Sequence, residues 1–140
     1  MKTRVKWVQN RTFLGKSQSG HGVVMDTNEK FGGENLGASP MELVLMAVGG
    51  CSSIDVVGIL QKSRQDVHGC WVELEAEQAP EPPKVFTKIH MHYVIEGHDI
   101  DSKKVEEAIK LSKEKYCSVS IMVGHTAEFT SDFEIVLPQE

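Results

Sequence analysis

The sequence predicts an α+β fold, in which strands and helices follow one another without a regular β-α repeat. Three observations indicate this class. Short segments near the N-terminus and in the middle alternate apolar and polar residues, one long segment is apolar on nearly every helical face, and a last alternating segment closes the chain. The predicted order is three strands, a long helix, two strands, a helix, a short turn or helix, and a strand.

The N-terminal part predicts a β-meander followed by a loop. Residues 4–8, 11–14 and 22–25 have the apolar alternation of short strands, and the intervening residues are rich in glycine and serine. Residues 26–38 contain three glycines and two asparagines and predict a loop. This part ends at residue 38, where the composition changes sharply.

A long helix is predicted to begin after Ser39. Ser39 can cap it, Pro40 suits the first helical position, and Glu42 completes a capping box. The following residues up to Leu60 are apolar on nearly every face, so we expect the helix to be buried all round, with a partner subunit covering it. The glycine pair at 49–50 indicates a bend or a close approach of another backbone.

The remaining residues predict a hairpin, a second helix and a final strand. Segments 70–77 and 85–96 alternate cleanly on either side of three prolines, which is typical of a hairpin with a long loop. Asp101 or Ser102 caps the next helix, 117–123 forms a turn or short helix, and 126–137 forms a strand. We therefore expect a single domain over 1–140, with the meander and loop in 1–38 and the helix-hairpin-helix-strand part in 39–140.

Composition and charge narrow the function classes. The formal charge of −5 argues against a nucleic-acid partner. The basic opening lacks an apolar signal-peptide core, and no apolar run is long enough and free enough of polar residues to span a bilayer, so we expect a cytoplasmic protein without a membrane partner. Three cysteines without a CxxC pattern predict free thiols and no metal site.

The cysteines are the main candidates for chemistry. Cys51 lies within the apolar helix, where it is either an inert core residue or a reactive thiol. Cys117 lies near the start of a possible short helix with serines and lysines around it, which would lower the pKa of its thiol, although it can equally be an unimportant solvent-adjacent cysteine. Cys70 opens a strand and is interpreted as structural.

The histidines give weaker signals. His90 and His92 share one strand face, where they could chelate a metal but are more simply the polar face of a sheet. His125 precedes the last strand and is a candidate general base near Cys117.

Two motifs resemble those of the OsmC/Ohr family, whose members include organic hydroperoxide resistance proteins. Residues 39–51, SPMELVLMAVGGC, are similar to the family's first cysteine motif, and residues 116–120, YCSVS, are similar to its second. The predicted element order matches that fold along nearly the whole chain. Segments 47–57 and 59–62 are most similar to the YhfA-like branch of the family.

This resemblance implies an OsmC-like fold in which antiparallel sheets wrap round a long central helix, in an intertwined homodimer. It also implies a thiol peroxidase at the dimer interface. Cys51 would attack a small apolar hydroperoxide, Cys117 would resolve the sulfenic acid as a disulfide, and an external dithiol would restore both thiols without a bound cofactor.

Supporting residues follow from the same resemblance. The family's glutamate directly after the proline is replaced by Met41, so Glu42 either supports the thiol or only completes the capping box. The loop 26–38 has no arginine to hold the thiolate, so Lys30, or Arg11 from a partner strand, is the candidate cation. Asp55, one helical turn after Cys51, would raise the pKa of a nearby thiol or pair with a lysine of the other subunit.

Three functions remain open from the sequence. The first is thiol-dependent reduction of organic hydroperoxides in an oxidative-stress response. The second is a non-catalytic dimer of the same fold that binds a small ligand or senses redox state. The third is a folded dimer whose cysteines are buried and inert.

Overall fold

The computed structural model describes all residues from Met1 to Glu140 and confirms the α+β class. The chain divides into two compact units, Met1–Val44 and Leu45–Glu140. Whether they act as the single domain expected from the sequence stays a prediction. The strands are β1 (Thr3–Gln9), β2 (Thr12–Ser17), β3 (Gly22–Met25), β4 (Asp66–Gln78), β5 (Phe86–His98) and β6 (Glu128–Val136), and the α-helices are α1 (Pro40–Lys62), α2 (Ser102–Leu111) and α3 (Ser118–Val123).

The first unit contains the predicted meander. Strands β1, β2 and β3 form an antiparallel sheet in chain order. The loop after β3 contains a 3-10 turn over Glu29–Phe31 and is more ordered than its glycine content indicated. Within it, a Cβ atom on Gly33 would overlap the Thr27 carbonyl, and one on Gly37 would overlap the Val24 carbonyl. The close passage of the backbone therefore requires glycine at both positions.

Asp26 organises this loop from a buried position. Its carboxylate accepts hydrogen bonds from the Thr12 hydroxyl at 3.0 Å, the Thr27 amide at 2.7 Å and the Leu36 amide at 3.2 Å. Burial alone would raise the pKa of Asp26, but the hydrogen bonds to the charged form outweigh it and the pKa is lowered. Asp26 was not singled out in the sequence, because nothing local marks an aspartate that collects donors from distant positions.

The predicted capping box at the start of α1 is confirmed. The Glu42 amide donates to the Ser39 hydroxyl at 3.2 Å, and the Ser39 amide donates to the Glu42 carboxylate at 3.0 Å. These bonds lower the pKa of Glu42, because they stabilise its charged form.

Helix α1 also corrects a prediction. By length and composition it could cross a membrane, with a mean hydropathy of 2.1 over its most apolar window. The prediction that no apolar run is long enough to span a bilayer was therefore wrong. The scattered serines and the single aspartate in this run lower its mean hydropathy only slightly. The same composition is typical of a soluble protein's core helix, yet only 28% of this window is buried within the chain.

The second unit contains a mixed sheet in the order β4-β5-β6. Strands β4 and β5 form the predicted antiparallel hairpin, but β6 runs parallel to β5. The prediction of purely antiparallel sheets was wrong at this pair. The helices between β5 and β6 return the chain to the end of the sheet where β5 begins, so β6 pairs in the same direction as β5.

One face of this sheet and the second-unit part of α1 contribute to the core. A Cβ atom on Gly49 would lie 2.8 Å from Leu74 Cδ1 and 3.2 Å from Val72 Cγ1, so the glycine allows α1 to approach β4. Within the chain, the close neighbours of Gly49 are therefore two side chains. The bend, or the close approach of another backbone, that the glycine pair indicated stays a prediction. The fully buried apolar side chains of the unit are Val48, Val56, Leu60, Ile89, Ile95, Val105, Ala108 and Cys117.

The segment between α2 and α3 brings the second cysteine to the core. Asp101 caps α2 by accepting from the Lys103 amide at 2.9 Å, as predicted. A π-helical turn over Ser112–Tyr116 follows, and Cys117 ends it and caps α3. Single π turns occur frequently at functional sites.

Candidate thiol site

Helix α1 presents two of the candidate residues to the same side. Cys51 and Asp55 are four positions apart and therefore stack on one helical face. Cys51 is half-buried, and Asp55 is also half-buried. Asp55 accepts a hydrogen bond at 3.1 Å from the hydroxyl of Ser112, which opens the π turn.

Cys117, at the start of α3, lies close to these two residues of α1. Its side chain has no exposed surface. Its amide donates to the Ser112 carbonyl at 2.8 Å, and its Sγ lies 2.9 Å from the Ser120 hydroxyl and accepts from the Ser120 amide at 3.4 Å. The cap therefore holds the sulfur at the first turn of α3.

The fold gathers Cys51, Asp55 and Cys117 into one cluster. The two Sγ atoms and a carboxylate oxygen of Asp55 all lie within 4.8 Å of one another. The two cysteines are 66 positions apart in the sequence, so only tertiary folding brings them together. A disulfide between them requires the sulfurs to approach from within 4.8 Å to about 2.05 Å.

The electrostatics of Cys117 differ from the prediction. Burial raises the pKa of its thiol, hydrogen bonds from Ser120 partly offset this effect, and the nearby Cys51 thiol raises the pKa further. The helix start and the Ser120 hydroxyl do lower the pKa of Cys117, as expected, but burial outweighs them and the net pKa is raised. The interpretation of Cys117 as a solvent-adjacent cysteine is also contradicted, since the residue is fully buried.

A chain of buried hydroxyls connects to this cluster. The Ser52 hydroxyl lies 3.0 Å from the Ser112 hydroxyl and 2.6 Å from the Tyr93 hydroxyl. Because the Asp55 carboxylate only accepts, the hydrogens run from Tyr93 through Ser52 and Ser112 to Asp55. Burial raises the pKa of Tyr93, and the hydrogen bond with Ser52 lowers it in part. No sequence motif predicts this network, and its only sign in the sequence is a serine within the most apolar helix.

The other predicted site residues lie elsewhere. Glu42, Lys30 and Arg11 belong to the first unit, and Lys30 and Arg11 are exposed there. Their proposed support of Cys51 stays a prediction. His125 lies in an exposed turn after α3 and is not among the gathered donor atoms.

Cys70 and the paired histidines lie outside the cluster. Cys70 is half-buried on β4, and burial raises the pKa of its thiol, which a hydrogen bond with Ser53 partly offsets. His90 and His92 lie on the polar face of the sheet, as predicted. Each approaches Asp132 Oδ1, at 3.2 Å from His90 Nε2 and 2.7 Å from His92 Nδ1.

The fold and the cluster together define a small α+β protein with a dithiol centre of one half-buried and one buried cysteine. A family model described as OsmC-like protein matches residues 32–132. The chain therefore belongs to the OsmC-like family, and the predicted family resemblance is confirmed.

Individual relatives agree with this assignment. Protein YhfA of Escherichia coli strain K12 is 50% identical over 136 residues, covering 97% of this chain and 98% of the relative. The crystal structure of a hypothetical protein from Aquifex aeolicus VF5 is 33% identical with a TM-score of 0.86, covering 99% of this chain and 97% of the other. The organic hydroperoxide resistance protein OsmC of Legionella pneumophila shares the fold at 15% identity, with a TM-score of 0.72 and coverage of 96% and 97%.

Proposed function

We propose that this chain reduces organic hydroperoxides through Cys51 and Cys117. The observation that carries the proposal is that two thiols far apart in the sequence have their sulfurs within 4.8 Å of each other in the folded unit. Membership of a family that includes hydroperoxide resistance proteins supports the same chemistry.

The difference in burial supports the order of the two cysteines. Cys51 is half-buried, whereas Cys117 has no exposed surface and a raised pKa. A peroxide therefore meets Cys51 first, and Cys117 is held as a neutral thiol beside it. This arrangement makes Cys51 the peroxidatic and Cys117 the resolving residue.

The reaction proceeds in three balanced steps. The Cys51 thiolate attacks the O–O bond, so that an S–O bond forms and the O–O bond breaks. The departing alkoxide takes from water the proton that the Cys51 thiol released on ionisation and leaves as the alcohol. The Cys117 thiol then condenses with the sulfenic acid, which forms the disulfide and releases water. An external dithiol supplies two electrons and two protons and restores both thiols by exchange.

A groove that touches the cluster at Asp55 supports a small, partly apolar substrate. Its volume is about 420 Å³, its walls combine Ile54, Ile59, Leu111 and Tyr116 with Lys62 and Ser63, and neither cysteine lines it. Each CH₂ group that the substrate buries there contributes about 0.8 kcal/mol. We therefore expect bulky organic hydroperoxides to react faster than hydrogen peroxide.

The proposal also includes a cation for the thiolate and a second copy of the chain. The thiolate of Cys51 needs a cation, for which Lys30 or Arg11 is the candidate, with Glu42 and His125 as further supporting residues. We propose a cytoplasmic homodimer, because large apolar side chains of α1 are exposed, with Met46 at 53% and Ile54 at 77%. A second copy would cover them.

A second candidate function keeps the same thiols without turnover. The raised pKa of Cys117 favours a slow disulfide, which suits a redox sensor or a small-ligand-binding dimer better than a fast peroxidase. The rate of the reaction distinguishes the two functions.

The test is consumption of cumene hydroperoxide in the presence of a dithiol reductant. We expect turnover by the wild type and by Cys70→Ser, and loss of turnover in Cys51→Ser. Cys70→Ser is the matched control because it removes a thiol of similar burial outside the cluster. A single slow oxidation without turnover would favour the redox sensor, and no reaction at Cys51 would exclude the peroxidase and the redox sensor and leave the small-ligand-binding dimer.

A further inference from the structure

We propose that Cys51, Asp55 and Cys117 bind one Zn²⁺ ion when both thiols are reduced. Their donor atoms, two sulfurs and one carboxylate oxygen, lie within 4.8 Å of one another. Thiolates and carboxylates are both established zinc ligands, and three protein ligands leave a fourth position for water. The sequence spacing gave no sign of this site, because one ligand comes from far along the chain.

The distances suit a tetrahedral ion after a small contraction. Zn–S bonds of about 2.3 Å and Zn–O bonds of about 2.0–2.2 Å place neighbouring donors roughly 3.5–3.8 Å apart. The separations of up to 4.8 Å therefore have to shorten by at most about 1.3 Å. Cys51 and Asp55 share one face of α1, so only side-chain rotations are needed on that helix.

Hydrogen bonds already orient two of the three ligands. Ser112 donates to the Asp55 carboxylate at 3.1 Å, and Ser120 contacts the Cys117 sulfur through both its hydroxyl, at 2.9 Å, and its amide, at 3.4 Å. Outer hydrogen bonds of this kind hold metal ligands in place and typically change metal affinity 10–100-fold.

Metal binding and disulfide formation would exclude each other. Binding replaces the two thiol protons with the ion, which requires both sulfurs as thiolates. A Cys51–Cys117 disulfide leaves neither sulfur available. Zinc would therefore protect the reduced dithiol, and this inference holds whether or not the protein turns over peroxide.

Cobalt titration of the full-length reduced protein tests the site, since Co²⁺ substitutes for Zn²⁺ and has visible absorption. We expect one Co²⁺ per chain, with a thiolate-to-cobalt charge-transfer band and intense four-coordinate bands, both abolished by one equivalent of Zn²⁺. The oxidised protein should bind no cobalt. Cys51→Ser and Cys117→Ser should each lose about half of the charge-transfer band, and Cys70→Ser should retain it.

Asp55→Asn tests the third ligand. It keeps both thiols, so we expect the charge-transfer band to remain while zinc affinity falls at least about 10-fold. Unchanged affinity in this variant, or no charge-transfer band in the reduced wild type, would overturn the proposal. A band that depends on Cys70 would overturn it as well.

A measurement without variants guards against loss of folding. Zn²⁺ should slow alkylation of Cys51 in the wild type by at least about 10-fold while leaving the alkylation rate of Cys70 unchanged, as read by mass spectrometry. Equal effects on the two cysteines, or no effect on Cys51, would contradict a zinc site at the cluster.

Discussion

At the scale of single residues, the two cysteines of the cluster have different surroundings. Cys51 is half-buried on the long helix, whereas Cys117 is fully buried and bonded to Ser120. In the proposed peroxidase reaction, this asymmetry favours Cys51 as the thiol that meets the substrate and Cys117 as the resolving thiol. It depends on tertiary packing, and the sequence around Cys117, with two serines and nearby lysines, suggested a more polar environment.

The buried polar network depends on the hydroxyl of Ser112. It donates to Asp55 and accepts from Ser52, and it is fully buried. Ser112→Ala removes the donor to Asp55 and one of the two hydrogen bonds of the buried Ser52 hydroxyl, so we expect the free energy of unfolding to fall by about 1–3 kcal/mol. Urea denaturation measures the change.

Ser118→Ala is the matched control for this substitution. Ser118 is exposed at the start of α3, so the same chemical change there should cost much less. Equal losses in the two variants would show that the Ser112 hydroxyl has no special role.

At the scale of secondary-structure elements, the polar face of the second sheet holds a pH-dependent pair between β5 and β6. Hydrogen bonds with Asp132, and then with Glu134, raise the pKa of His92, and the bond from His92 lowers the pKa of Asp132. His90 lies on the same strand, and Glu73 of β4 pairs with His92 on its other side.

The sign of the pH effect follows from these shifts. The His92 contribution is fully present below the unfolded-state pKa of histidine and is lost as pH rises through the raised pKa of His92. The Asp132 contribution is lost as pH falls through its lowered pKa. We expect His92→Gln to lower the melting temperature more near pH 5.5, below the ordinary pKa of histidine, than near pH 8.5, well above that ordinary value.

Differential scanning fluorimetry at the two pH values measures this difference. His21→Gln is the control, because the His21 ring contacts only the Ser19 hydroxyl and no carboxylate. A His92 effect that is the same at both pH values, or no larger than that of His21, would refute the charged pair.

The contact of α1 with β4 gives a second prediction at this scale. Gly49 faces Val72 and Leu74, so Gly49→Val overfills the space, and we expect the free energy of unfolding to fall by about 1–3 kcal/mol. In a Leu74→Ala background the same substitution should cost less, because the alanine leaves room for the valine. A double-mutant cycle by urea denaturation checks this, and additive losses would contradict the contact.

Patterns among neighbouring residues predicted the helices, strands and caps well, but they predicted the pairing of distant segments less well. The capping box of Ser39 and Glu42 and the Asp101 cap use neighbouring residues, so the sequence displays them directly. The parallel pairing of β6 and the π turn before Cys117 depend on how distant segments meet. The family motifs identified Cys51 and Cys117, whereas Ser52, Ser112 and Tyr93 joined the site only through folding.

At the scale of the whole molecule, the exposed apolar side of α1 predicts self-association. Ile54 is 77% exposed although it lies in the most apolar helix of the chain. A homodimer through this helix should bury more than about 2,000 Å², as obligate interfaces do. We expect light scattering to give the mass of a dimer at micromolar concentration.

Ile54→Glu tests which surface forms the dimer. A buried charge at the interface is costly, so this variant should shift the protein toward the monomer. Glu75→Lys, on the polar face of the sheet, should leave the dimer intact. A monomeric wild type would contradict the dimer, and a dimer insensitive to Ile54→Glu would move the interface elsewhere.

The central claim is that Cys51 and Cys117 act together on hydroperoxides, and the most direct measurement is mass spectrometry of the protein after treatment with cumene hydroperoxide in a chelating buffer. We predict a Cys51–Cys117 disulfide in the wild type and in Cys70→Ser, sulfenic or sulfinic acid at Cys51 in Cys117→Ser, and reduced Cys117 in Cys51→Ser. Cys51 that stays unmodified in the folded wild type under excess peroxide would contradict the account.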